Sequence, residues 1–249
     1  MPDVSFVQLI ILEFLVLAVS TAVGVVAFGF AMTMTPFLLI FLEPRLVVEM
    51  NIVLTSVLFA SMVTLSWKHI KLGTLIALLI GGVFGIPLGV MFTKTLSHEV
   101  LGLMLSAVVI TTALFAMFGK FRRFSNDKIP AALVGGVFSF LNAALSLGGP
   151  ILAVFALNQR WSRDQTRAML SSCFLVTGVA VLISHVMVGL LGTKELISAA
   201  VFLPPLIIGS LIASILVRYV NETLFRKLVL GVLLVTSFGL LSREIYQMI

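Results

Sequence analysis

Charge is scarce in this chain. Only 10% of its 249 residues are Asp, Glu, Lys or Arg, whereas about a quarter of an ordinary soluble domain is charged, so a water-facing surface of normal extent cannot be assembled from it. Polar stretches are equally scarce, none exceeding about a dozen residues. That leaves no room for a nucleotide-binding domain, and ATP-driven work would have to come from a separate subunit. The single cysteine, Cys173, sits inside an apolar run and can form neither an intrachain disulfide nor a two-thiol relay; it reads as a small buried hydrophobe. His69 and His185 fall at the ends of apolar runs and lack companion ligands, so no metal site is expected. No Ser-His-Asp, His-Glu-x-x-His or paired-carboxylate arrangement occurs at workable spacing, which argues against an enzyme and against a cofactor. A basic face interleaved with aromatic platforms is missing too, and with it the case for nucleic acid.

What fills the chain is apolar: 60% of the residues are hydrophobic and the mean hydropathy is +1.22. Apolar runs of about 17 to 25 residues recur, and each can cross a hydrocarbon core of roughly 30 Å. The first has an early acidic residue, no basic leader and no Ala-x-Ala-like cleavage site, and so is expected to be a retained span. Helices are expected over about 5–28, 36–43, 47–67, 73–95 and 99–119, and again over about 130–147, 150–158, 166–190, 195–217 and 223–244.

The two groups share landmarks. Phe28-Gly29-Phe30-Ala31-Met32-Thr33-Met34-Thr35-Pro36 is answered by Asn142-Ala143-Ala144-Leu145-Ser146-Leu147-Gly148-Gly149-Pro150. Thr55-Ser56 is answered by Ser171-Ser172, His69-x-x-x-Gly73 by His185-x-x-x-Gly189, and His98-Glu99-Val100-Leu101 by Asn221-Glu222-Thr223-Leu224. Two membrane halves, each interrupted near its start, form the pattern of a secondary transporter with its site at the repeat interface. The expected fold class is therefore an all-α polytopic membrane protein. It would consist of two inverted repeats of five helical elements, each with a broken or re-entrant helix pair at its start. Residues 1–119 form the first membrane repeat, 120–129 a cytoplasmic linker, and 130–249 the second repeat.

Basic residues test the topology independently. If each proline-led short helix returns the chain to its starting side, one side holds Lys68, Lys71, Lys120, Arg122, Arg123, Lys128, Arg160, Arg163, Arg167, Arg218, Arg226 and Lys227. The other side holds Arg45, Lys94, Lys194 and Arg243, a division of 12 to 4. If each broken pair makes a single crossing, the same residues divide 8 to 8. The positive-inside rule favours the first arrangement, with the linker in the cytoplasm and both termini outside. Full and re-entrant helix pairs both satisfy this parity.

Proline suits the first turn of a helix, where its missing N–H has no partner to lose. Thr35-Pro36 and Gly149-Pro150 are thus expected to start two short helices at membrane depth, with free N–H groups and the positive dipole end facing a site. Such ends receive anions. Gly148 and Gly149 would let backbone approach a ligand, while Thr33, Thr35, Asn142 and Ser146 would add hydrogen bonds; small residues that only allow tight helix packing are the competing explanation. Asn51, Thr55, Ser56, Ser171 and Ser172 form matching polar patches near helix beginnings, although such hydroxyls often satisfy their own helix. Arg167, the counterpart of Asn51, can draw an anion toward the pore or simply fix topology. Glu13 is the acidic residue expected well inside a span and is the candidate for proton coupling, unless it reaches interfacial water.

Gly135-Gly136 leading to Leu147-Gly148-Gly149-Pro150, the His-x-x-x-Gly starts of the fourth and ninth elements, and Gly81-Gly82-x-x-Gly85-x-x-x-Gly89 resemble the sulfite exporter TauE/SafE family over nearly the whole chain. The resemblance implies export of sulfite, sulfoacetate or a related organosulfonate across the bacterial inner membrane. The first-half break is bulkier and richer in hydroxyls than the family's usual glycine run, which leaves room for an organic anion. A small anionic substrate and the lipid bilayer are the expected partners, and a homodimer is left open. Two alternatives stand beside this reading: a carrier of another small-metabolite class, and a non-transporting membrane scaffold or assembly factor.

Overall fold

The computed structural model describes residues 5–95, 128–221, 223–225 and 227–228. The expected helix over 99–119, the linker up to residue 127 and nearly all of the helix expected over 223–244 lie outside them. Within the described residues the chain is helical throughout: α1 Phe6–Val26, α2 Phe30–Leu38, α3 Pro44–Ser66, α4 Leu72–Thr95, α5 Lys128–Leu145, α6 Gly149–Asn158, α7 Arg163–Met187, α8 Thr193–Ala200 and α9 Leu203–Leu216. Five of these, α1, α3, α4, α5 and α7, are long and apolar enough to cross a membrane. All of them except the central α3 keep an exposed apolar face, such as Phe14 on α1 and Ile80, Phe84 and Leu88 on α4. In a bilayer those side chains meet lipid at no hydrophobic cost, which is why the chain can leave them uncovered.

Local sequence explains where helices begin. Ser5 and Gln8 form a capping box on α1, and Ser162 and Gln165 form the same box on α7, each side chain satisfying an otherwise orphaned N–H. Two sequence expectations are corrected. The helix expected over 195–217 is two pieces bent by 50°, because Pro204 and Pro205 occupy the first turn of α9 and cannot continue α8. The first short helix does not begin at Thr35-Pro36 but at Phe30, and it ends two residues after Pro36. The break is made earlier, by Ala27 at φ 67° and Gly29 at φ 95°, both left-handed. Pro150, in contrast, lies in the first turn of α6 as expected.

Three helix pairings organise the bundle. At the centre α3 and α7 run antiparallel: Glu49 meets His185, Phe59 stacks on Phe174 with ring centroids 4.3 Å apart, and the Lys71 N–H reaches Met169. On one flank α4 and α5 run parallel, and on the other α1 and α9 run parallel. Small residues make both flanks possible. The α4–α5 backbones approach so closely that a Cβ on Gly81 or Gly135 would overlap the carbonyl of Ala132 or Leu78. At the α1–α9 contact, Gly24 faces Ala213 and Gly209 faces Ser20. Membrane helices gain no hydrophobic energy from leaving lipid for one another, so this close packing is what holds them. α2 and α6, at nine and ten residues, span only about 14–15 Å at 1.5 Å per residue; they reach halfway across.

Candidate functional site

The two short helices begin at the same place. A Cβ added to Gly149 would lie 3.3 Å from Phe28 Cβ and 3.5 Å from the Gly29 nitrogen, so the two helix breaks touch. They do so level with the middles of α3 and α7, where Thr55, Phe59 and Phe174 complete a cleft with Gly29, Phe30, Ala31, Met32, Ser146, Leu147 and Gly149. The cleft is partly open, and its enclosed space is about 10 Å³, room for about one water molecule. Neither short helix has a side-chain cap. The first-turn N–H groups of α2, on Phe30, Ala31 and Met32, and that of Gly149 on α6 are therefore left to whatever enters the cleft.

Ser146 is the polar centre of this arrangement. It is held in the left-handed conformation at φ 59° just after α5. Its N–H bonds the Asn142 carbonyl, but its Oγ has no partner among the described residues although the residue is only 4% exposed. A buried hydroxyl left without a partner costs on the order of 1–3 kcal/mol, and here it lines the cleft. Asn51 Nδ2 donates to Thr35 Oγ1 at 3.0 Å, tying α3 to α2, and Asn51 Oδ1 is likewise without a partner. One turn on, Thr55 lines the cleft while its hydroxyl donates to the Asn51 carbonyl at 2.6 Å. Arg167, 6% exposed, crosses from α7 to donate from Nη2 to the Gly24 carbonyl at 3.0 Å, close to the end of α1.

Of the residues expected to form a site, Thr55, Ser146 and Gly149 line the cleft, and Asn51 lies within one turn of it. Gly148 and Pro150 flank it: Gly148 packs against Phe138, and Pro150 is buried in the first turn of α6. Asn142 is buried on α5 one turn before the break. Thr33 and Ser171 are turned back on their own helices, bonding the carbonyls of Gly29 and Arg167. Thr35 and Pro36 sit in the last part of α2 and not at its start, which removes them from the helix N-terminus they were expected to form. Glu13 lies half-buried on α1, away from the cleft, without a hydrogen bond or ion pair among the described residues.

Several residues were missed. Phe30, Phe59 and Phe174 build the apolar wall of the cleft, with Phe138 edge-on to Phe174 at 5.0 Å; in a chain with 20 phenylalanines nothing local marks these. Glu49, close to the start of α3, is fully buried against His185. The expectation that His185 lacks a companion is therefore corrected. The signal for it was an acidic residue within the expected 47–67 span.

Membrane-length apolar helices surrounding a small, mainly apolar cleft with two hydroxyls at two helix breaks are the architecture of a multi-pass membrane carrier. The sequence model described as sulfite exporter TauE/SafE matches residues 12–240, and the chain belongs to that family. It is accordingly a membrane transporter of sulfite-type anions and not an enzyme. No curated protein and no solved structure matches the chain.

Proposed function

We propose that this protein exports a small sulfur oxyanion, sulfite or a short organosulfonate such as sulfoacetate, across a bacterial inner membrane, binding it where the two helix breaks meet. The observation that carries this reading is the Ser146 hydroxyl, buried, unpartnered and lining the cleft beside uncapped helix starts. An oxyanion would accept from that hydroxyl and from the first-turn N–H groups, and each helix end adds about 0.3–1 kcal/mol, or ~2 kcal/mol where partly buried. The other walls are Phe30, Met32, Phe59, Leu147 and Phe174. They suit an anion with an apolar carbon group better than a fully hydrated one such as sulfate. Binding of ethanesulfonate, sulfoacetate, sulfite, sulfate and acetate to the purified protein tests this. The sulfonates and sulfite are expected to bind and to compete with one another; equal competition by a neutral or cationic metabolite would sink the anion reading.

The helix pairings support an inverted-repeat reading. The first helix of one half pairs with the fourth span of the other on both flanks, and α3 and α7 are antiparallel between them. The end of the bundle that joins α3 to α4 and starts α7 carries Lys68, Lys71, Arg160 and Arg163, while Arg45, Lys94 and Lys194 lie toward the opposite end. The positive-inside rule makes the first end cytoplasmic and the termini periplasmic. A cysteine introduced between residues 119 and 129 should then react only from the cytoplasm, and a reporter placed after Ile249 should be outside; a cytoplasmic C-terminus would overturn this topology.

A further inference from the structure

Glu49 and His185 are both completely buried, and they close one end of the central α3–α7 pair. His185 Nδ1 lies 2.9 Å from each carboxylate oxygen of Glu49. The carboxylate can only accept, so Nδ1 carries the hydrogen and the far ring nitrogen, Nε2, becomes the position where a proton can come or go. Nε2 is buried and has no partner among the described residues. Without a proton there, the pair is a buried anion; with one, it is a neutral ion pair. Burial of an uncompensated charge is costly, so the two states respond strongly to any other charge nearby.

The cleft supplies one. Thr55, on its wall, is six residues along α3 from Glu49, or about 9 Å at 1.5 Å per residue. Among the described residues, no other charged side chain pairs with either member. Glu43 and Arg45 near the start of α3, Lys94 at the end of α4 and Lys194 and Glu195 at the start of α8 belong to the same end of the bundle; Glu195 is half-buried and the others are exposed. None of them is in an ion pair with Glu49 or His185.

We infer that Glu49 and His185 form a buried proton-binding site linked to the substrate cleft, so that an anion enters together with one proton taken from water onto His185 Nε2. The anion disfavours the singly negative form of the pair, and protonation of Nε2 removes that negative charge. Reciprocity requires that lowering the pH tighten anion binding, by up to about tenfold per pH unit while the site titrates. This rests on the cleft being the anion site. A substrate carrying one charge then crosses as a neutral couple on which the membrane potential does not pull; an outside-acid pH gradient opposes its export, so net export runs down the anion's own concentration gradient.

The test uses ethanesulfonate, whose own charge is constant between pH 5 and 8. Adding it to purified full-length protein in weak buffer should withdraw about one proton per anion bound. Nitrogen NMR in a His69→Gln, His98→Gln background, where His185 is the last histidine, should show Nε2 gaining a proton on saturation. Glu49→Gln, His185→Gln and the double variant should bind the anion with no proton uptake and a flat pH dependence. Anion binding by the parent without proton uptake, or folded variants that still take up a proton, would overturn the linkage while leaving the cleft intact. If the variants fail to fold, the parent's proton count and the His185 signal decide alone. No ethanesulfonate binding at any pH overturns the cleft and the linkage together.

Discussion

The two helix breaks do the same job with different chemistry. After α1, Ala27 and Gly29 are left-handed and α2 begins at once with Phe30. After α5, Ser146 alone is left-handed, and Gly148 and Gly149 are in or next to ordinary helical backbone leading into α6. Gly29 is thus needed for its backbone angle, which costs an L side chain about 1–2 kcal/mol. Gly148 is needed for space, since Phe138 stands where its Cβ would be. The first break gives the cleft bulk, through Phe30 and Met32; the second gives it a hydroxyl, through Ser146. Geometry is shared between the halves, and recognition is divided between them.

The sharpest way to break this comparison is to change the hydroxyl side. Ser146→Asp puts a fixed carboxylate where the substrate's charge belongs, held by the same dipole ends, and should abolish anion binding in a folded protein. Unchanged anion affinity in that variant would move the substrate elsewhere. A gentler, reciprocal pair sharpens the contrast. Ser146→Ala removes an unpartnered hydroxyl and should raise stability by about 1–3 kcal/mol while weakening the anion by roughly ten- to a hundredfold. Ala27→Ser does the reverse at the first break: it buries a new hydroxyl outside the cleft and should cost stability with no gain in affinity. Denaturation midpoints and binding isotherms of the two variants report both effects. Loss of stability in Ser146→Ala would mean that the hydroxyl serves the fold and not a ligand.

How much of this was legible in the sequence depended on whether the signal was local. Apolar runs placed the five described long spans to within a few residues, since a membrane helix is specified by composition along its own length. Gly148-Gly149-Pro150 correctly announced α6 because proline in a first turn is a local rule. The same rule misled at Pro36, which ends a helix; the true break at Ala27 and Gly29 carries no proline, and matching one break to the other by proline shifted the alignment. Asn51 and Thr35 were both singled out as site candidates, yet their bond joins residues 16 apart and follows from how α2 folds back on α3. Glu49 and His185 are 136 residues apart. Each reads alone as a span-end polar residue, and only the antiparallel crossing of α3 and α7 makes them a pair.

The smallest effect is expected at Glu13, and it compares two carboxylates. Glu13 is half-buried on α1 without a partner among the described residues, whereas Glu49 is sealed against a histidine. A lone carboxylate able to reach the interface can exchange its proton with water at any stage of transport, so its charge state need not follow the substrate. A buried pair can exchange only when the surrounding helices open, which is what coupling requires. Glu13→Gln should therefore leave the pH dependence of ethanesulfonate binding, and of flux into vesicles under a pH gradient, within about twofold of the parent, near the scatter of a few tenths of a kcal/mol seen for surface changes. A flat pH profile in Glu13→Gln, with normal anion affinity, would transfer the proton from the α3–α7 pair to α1.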